Sequence, residues 1–412
     1  MHTPSARRST ARTRPRNRRA LILAAAARRF HRYGYHRVSM ADIAQDVGVT
    51  PGALYRHFRN KQELLSHVID HSLEVLDNSL ANRQAGDQPE LLLSDLAELT
   101  VEHRELGVLW QRESRHLPEE QRLALREHVR TLAVRIGELL RQTRADISPA
   151  DIDFLTWSTT GVLLSPSFYA LDLPSDHTVA VLVTLSRAVW DSDIHTGQTQ
   201  SVPYTNNRGI TPVSRREVLL GAAIRLFNER GYHDVSMDDI GAAAGIVSAS
   251  VYNHFTSKAD LLITALSRGA AGLQLGLSHA LAHASSPREA LEMALRSYVE
   301  LMIAHPELVG TLLTEVAHLP EEDKGQIVAL EHSYVGEWLR LLGEANPALS
   351  EPESQMCVQA IFTMVNNVAR TKHLRTRTHL VSDTVAVGQA ILHAAISLGD
   401  SRPDTSSVVA SR

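Results

Sequence analysis

Apolar residues recur along this chain at helical spacing. Leu23, Ala27 and Phe30 stand four and three apart, and Leu220, Ile224 and Phe227 repeat the stripe. Each set turns one apolar face toward a core. No run alternates with period two over the length of a strand, so the pattern predicts an all-α protein. Polar stretches carrying Gly and Pro interrupt it at 191–213, which reads as a linker. Residues 1–16 and 399–412 are polar and read as disordered ends.

The stripe repeats because the chain repeats. Shifted by 197 positions, residues 18–65 fall on 215–262 without a gap, matching Phe30/Phe227, Gly34/Gly231, Tyr35/Tyr232, Ser39/Ser236, Ile43/Ile240, Gly48/Gly245, Tyr55/Tyr252, His57/His254, Phe58/Phe255 and Lys61/Lys258. A weaker match pairs "HRELGVLWQRESRHLPEE" (103–120) with "HPELVGTLLTEVAHLPEE" (305–322), now offset by 202. A period near 200 residues means two complete domain pairs rather than a solenoid. The predicted order is an arm at 1–16, a first head at 17–69, a first body at 70–190 and a linker at 191–213. A second head at 214–266, a second body at 267–398 and a tail at 399–412 complete it.

Within each head the residues spell two short helices and a tight turn. Ser39 caps "MADIAQDV", Gly48 ends it where a left-handed residue is needed, and Thr50 opens a second helix with Pro51 at its first position. In the second copy Ser236 caps "MDDIGAAA", Gly245 breaks it and Ser248 opens "ASVYNHF". This is a helix-turn-helix, written twice. The small residues Gly52, Ala53, Ala249 and Ser250 leave room for close approach to DNA. Tyr55, His57, Lys61, Tyr252, His254 and Lys258 are expected to donate to phosphates, and Arg56 and Asn253 to face a groove. Ser39, Met40, Thr50, Pro51, Ser236, Met237 and Ser248 are placed with this DNA-facing set, and Phe58 and Phe255 are expected to pack inward.

Charge sharpens the picture. The net charge is −4, yet residues 1–61 hold 14 Arg and Lys against 2 acids, whereas 208–258 hold 6 against 5. A segregated basic front suggests a polyanion partner. Arg12, Arg14, Arg16 and Arg18 form an arm suited to phosphates or a minor groove. The run "ALILAAAA" ends at Arg28-Arg29 without a cleavage pattern, so neither an export signal nor an organelle presequence is expected. A single cysteine, Cys357, excludes an internal disulfide and a cysteine-based zinc site. It is expected to be a small buried hydrophobe in a cytoplasmic protein. The 21 histidines show no metal-ligand spacing, and there is no nucleophile elbow or phosphate loop, so no metal, cofactor or catalysis is expected.

The pattern F-x3-GY-x2-VSM-x2-I…G(V/I)…(L/V)Y-x-HF-x2-K-x2-LL, present in both heads, resembles the DNA-binding domain of TetR/AcrR-type transcriptional regulators. The resemblance covers about 50 residues in each half. It implies a three-helix DNA head on a larger helical effector and dimerisation body, and a bacterial, nucleoid-associated protein. Family members act as homodimers of chains about half this length, so the fusion implies an intramolecular pseudo-dimer on double-stranded operator DNA. The seam would be built from helices near 151–165 and 177–190 with those near 354–370 and 382–397. A homodimer of tandems with four heads stays open. The family also implies a small-molecule effector and repression by occlusion, with a ligand-independent architectural protein as the alternative. Trp110, Arg115, Trp157, Tyr169 and Trp338 are the candidate effector-pocket residues, and plain core packing is the competing role for the aromatic ones. The stretch at 113–119 is similar to one in regulators of lipid and acyl metabolism, which implies a lipid or acyl-derived effector. No apolar run is long enough to cross a bilayer, so no membrane partner is expected.

Overall fold

The computed structural model describes residues 18–81, 83, 88–144, 146–169, 172–194, 213–316, 319 and 321–398. Arg12, Arg14 and Arg16 of the arm, most of the linker and the tail lie outside the described residues. Among the described residues the chain is helical and without strands, as the periodicity predicts.

The first head comprises α1 (Arg18–Tyr33), α2 (Met40–Val47) and α3 (Pro51–Tyr55). The long α4 (Lys61–Ala81) leads into a body of α5 (Pro89–Glu102), α6 (Glu105–Gln111), α7 (Glu119–Leu140), α8 (Pro149–Leu163) and α9 (Ser175–Trp190). The second half repeats the series. Its head is α10 (Arg215–Arg230), α11 (Met237–Ala244) and α12 (Ser248–Val251). Its body follows as α13 (Lys258–His283), α14 (Pro287–Ala304), α15 (Pro306–Glu315), α16 (Glu321–Ala345), α17 (Glu351–Arg370) and α18 (Leu380–Ile396).

The bodies join along a seam of α8, α9, α17 and α18. The seam is tight because Gly161 of α8 lies against the backbone of α17: a Cβ there would sit 2.6 Å from the Met364 Cα. It is also specific. Asn367 Nδ2 donates to the Trp157 carbonyl at 2.8 Å, and Arg370 donates to the Gln111 carbonyl at 2.8 Å. Arg377 bridges Asp151 of the first half, at 2.5 Å, and Asp383 of the second, at 2.6 Å. All three carry little or no exposed side chain, and buried charges are tolerated only when paired in this way. Cys357 is buried in the same region. One hydrophobic core runs from the first head through both bodies, while the second head has a core of its own that reaches Leu308, Leu319 and Ile327.

Candidate nucleic-acid interface

Each head builds its reading edge from local rules. Ser39 and Asp42 form a reciprocal capping box, as do Ser236 and Asp239. Gly48 (φ 68°) and Gly245 (φ 67°) end their helices in the left-handed region that a Cβ disfavours. In the first head Thr50 then caps α3, its hydroxyl accepting the Ala53 amide at 3.3 Å. The second head differs: the cap position of α12 is Val247, which has no side-chain acceptor, and Ser248, expected to open the helix as Thr50 does, is instead its first residue, in register with Pro51. Leu54 and Val251 are fully buried and pin the reading helices to their cores. Phe58 and Phe255 also pack inward, covered by the guanidinium groups of Arg19 and Arg216 at 5.4 and 4.0 Å from the rings.

The remaining side chains face out. Tyr55 is 52% exposed and Tyr252 55%. Pro51, Gly52, Arg56, His57, Ala249 and Asn253 are exposed, and Ala53, Ser250 and His254 are half-buried. A Cβ on Gly52 would meet nothing within 4 Å, so no contact inside the protein demands this glycine. Ser39 and Ser236 stay at the surface with their hydroxyls engaged in the caps. Arg18 is half-buried at the start of α1.

Several residues depart from the sequence-based expectation. Met40 and Met237 are buried, because each is the first residue of its helix and turns into the head core. Lys61 and Lys258 point inward rather than toward a phosphate. Lys61 Nζ donates to the carbonyls of Tyr35 (2.8 Å) and Val38 (2.9 Å) and lies 4.2 Å from the Tyr35 ring centroid. Lys258 repeats this on Tyr232 (2.5 Å) and Val235 (2.8 Å). Burial holds both ammonium groups below their ordinary pKa. The lysines staple the turn between the first two helices of each head, where three carbonyl and ring contacts compensate for lost water.

Each body grips its head through a carboxylate that sequence reasoning missed. The Tyr35 amide donates to Glu113 Oε2 at 2.8 Å, and the Tyr232 amide to Glu315 Oε2 at 3.0 Å. Both glutamates are buried. The signal was the 202-residue offset, which aligns Glu113 with Glu315. Arg112 pairs with Glu113 and donates to the carbonyls of Phe30 and His31. Arg115 crosses to the other half and pairs with Glu315. It therefore serves the contact between halves and lines neither cavity, contrary to its expected place in an effector pocket.

The heads meet. His36 and His233 occupy equivalent positions, and their ring centroids are 4.7 Å apart. Burial, together with each other's charge or that of nearby cations, holds both rings below their ordinary pKa.

Among the described residues, cavities open in the bodies, and two of them concern the expected pocket residues. The first is bounded by α4, α5, α6, α7 and α8, with an empty space of about 820 Å³ that includes its open mouth. Trp110 and Trp157 line it, 5.7 Å apart, with aliphatic residues such as Leu73, Leu96 and Leu132 and the hydroxyls of Ser72, Thr100 and Thr160; no charged side chain is among the lining. The second contains residues of both halves, Gln111 and Phe168 beside Tyr298, Tyr334, Phe362 and Asn366. Trp338 stands behind it, fully buried against Phe362, and Tyr169 lines neither cavity. Those two therefore leave the expected pocket set, because packing within the bodies claims them.

Two capped helix-turn-helix heads on fused helical bodies define a tandem helix-turn-helix protein. Residues 22–68 and 219–265 match the family described as bacterial regulatory proteins, tetR family, and 284–370 match its Tetracyclin repressor-like C-terminal domain. Both heads belong to the tetR family, and their two matches, with the C-terminal one, are consistent with a tandem duplication of such a subunit. It is 26% identical over 163 residues to the HTH-type transcriptional activator FasR of Mycolicibacterium smegmatis, covering 40% of this chain and 64% of the relative. It is 38% identical over 93 residues to the HTH-type transcriptional regulator TtgR of Pseudomonas putida, covering 21% and 44%. The chain thus matches less than two thirds of the length of either curated relative. A solved TetR family regulator, PfmR of Thermus thermophilus, superposes at a TM-score of 0.38 with 23% identity, covering 45% of this chain and 97% of that one.

Proposed function

We propose that the protein is a sequence-specific, DNA-binding transcriptional regulator, a repressor released by a small-molecule effector, whose two heads act as a pseudo-dimer within one chain. The observation that carries this reading is the pairing of exposed tyrosine-bearing reading edges, Tyr55 and Tyr252, on two heads that touch through His36 and His233. Equivalent residues in contact are the mark of a two-fold arrangement. A two-fold pair of reading helices suits two half-sites about one helical turn, roughly 34 Å, apart. Arg56 and Asn253 differ at matching places, so the operator is an imperfect palindrome. The arm with Arg12, Arg14, Arg16 and Arg18 adds phosphate contacts on the side of the first head. No catalytic step is needed for occlusion of a promoter. The cytoplasm, beside the nucleoid, is where such a protein works, and among the described residues no helix is long and apolar enough to cross a membrane.

The effector belongs in the first cavity. Its uncharged, aliphatic wall suits an apolar molecule such as an acyl chain. Helix α4 couples the cavity to the head: Leu64, Leu65 and Val68 sit in the core, while Ser72, Leu73 and Leu76 line the cavity. A ligand that shifts α4 shifts the first head against the second.

Footprinting on the DNA flanking the protein's own gene, repeated with added acyl ligands, tests both parts. Protection of two neighbouring half-sites, relieved by a ligand, supports the reading. Binding that is indifferent to sequence and ligand instead supports an architectural protein.

A further inference from the structure

The point where the heads meet also gathers ligand atoms. His116, from the 3-10 turn Glu113–His116, meets the His36 ring edge-on at 4.5 Å and stacks on Tyr35 at 4.7 Å. One donor atom each from His36, His116 and Asp234 lie within 4.8 Å of one another. They come from three different units: the first head, the first body and the second head. The chain spacing could not show this, because the donors are far apart in sequence and on separate elements. The repeat itself is informative here. Asp234 stands where the first copy has Arg37, so the difference between the copies places a carboxylate beside the histidines.

We propose that His36, His116 and Asp234 form a binding site for a divalent transition-metal ion of the Zn²⁺ type, which ties the two heads to the first body. Two imidazoles and one carboxylate suit Zn²⁺ and its neighbours and discriminate against Mg²⁺ and Ca²⁺, which prefer all-oxygen sets. Metal–ligand bonds of about 2.0 to 2.2 Å require the donors to close slightly. His36 and Asp234 lie at exposed positions, while His116 is held by its stack on Tyr35. Behind it, Glu113 Oε2 lies 3.9 Å from His116 Nε2, the kind of carboxylate that orients a ligating imidazole. The nearby cations are already engaged: Lys61 with the Tyr35 and Val38 carbonyls, Arg115 with Glu315. His233 flanks the site and water completes the coordination.

The test is calorimetric titration of Zn²⁺ into the purified full chain and into H36N, D234N and H283N. The last removes half of the His279–His283 pair on α13, another place where two imidazoles stack, at 4.3 Å. The expected result is one equivalent of Zn²⁺ bound with micromolar affinity, weakened at least about tenfold in H36N and D234N, unchanged in H283N and not reproduced by Mg²⁺. All three substitutions are at exposed positions, and an unchanged helical circular dichroism spectrum verifies the fold. No saturable binding, binding unaffected by H36N and D234N, or loss only in H283N overturns the proposal. The readout is metal binding without DNA, so its failure and a failure of operator binding are separately visible.

Discussion

The two halves seat their heads in the same way but neutralise the seat differently. In both, a buried glutamate accepts the amide of the tyrosine that follows the first helix. In the first half the counter-ion is the neighbouring Arg112, and the arrangement is internal. In the second half Thr314 stands at the matching position, and the counter-ion is Arg115 from the other half. Once two subunits share a chain, a charge that one needs can be supplied by the other, and it cannot be lost by dissociation. The second head thereby depends on the first half, and the first head does not depend on the second through this contact.

The largest test of that contrast is to remove each arginine. Arg115→Ala leaves the fully buried Glu315 without its cross-half cation, and the expected loss is about 3 to 5 kcal/mol, localised by hydrogen exchange to α10 and α11. Arg112→Ala leaves the buried Glu113 with the Tyr35 amide but without its cation, and removes the donor to the Phe30 and His31 carbonyls, so a comparable loss of about 3 to 5 kcal/mol is expected, localised to α1. Both changes appearing in the same head break the comparison. Lys61→Met and Lys258→Met sharpen it. Each removes a charged donor from two carbonyls and should destabilise its own head by about 1.5 to 3 kcal/mol in chemical denaturation. Neither should change the salt dependence of DNA binding; a decrease of about one in the slope would place that lysine on a phosphate after all.

Gly161→Ala acts on both halves alike. The new methyl group meets the α17 backbone at Met364, and the expected cost is about 1 to 3 kcal/mol, read as a lowered melting temperature. The smallest effect concerns the caps. Thr50→Ala should cost about 1 kcal/mol in the first head, whereas Val247→Thr, which restores the missing cap of α12, should stabilise the second by up to about 1 kcal/mol. Stabilisation by neither residue would mean that tertiary packing alone sets these short helices.

What the sequence made legible was mostly what local rules decide. The helix stripe, the capping serines, Gly48 and Gly245, and the internal repeat each follow from residues close together in the chain. Residues whose role depends on distant neighbours were not legible. Lys61 looks like any surface lysine after an exposed loop until the Tyr35 and Val38 carbonyls are seen above it. Met40 follows an exposed cap and is buried by the turn of its helix. Arg115 resembled a pocket residue because its partner lies 200 positions away. Trp338 and Trp157 are both large and aromatic, and only the packing of the bodies separates the one in a core from the one on a cavity wall.

The central claim is that one chain presents two heads to one stretch of duplex. Solution mass of the complex with a footprinted operator tests it most directly, with the duplex held short enough to carry a single pair of half-sites. The account predicts one chain per duplex, with both half-sites protected and the second lost on mutation of Tyr252 and Asn253. Two chains per duplex, or protection of the first half-site alone, would contradict it.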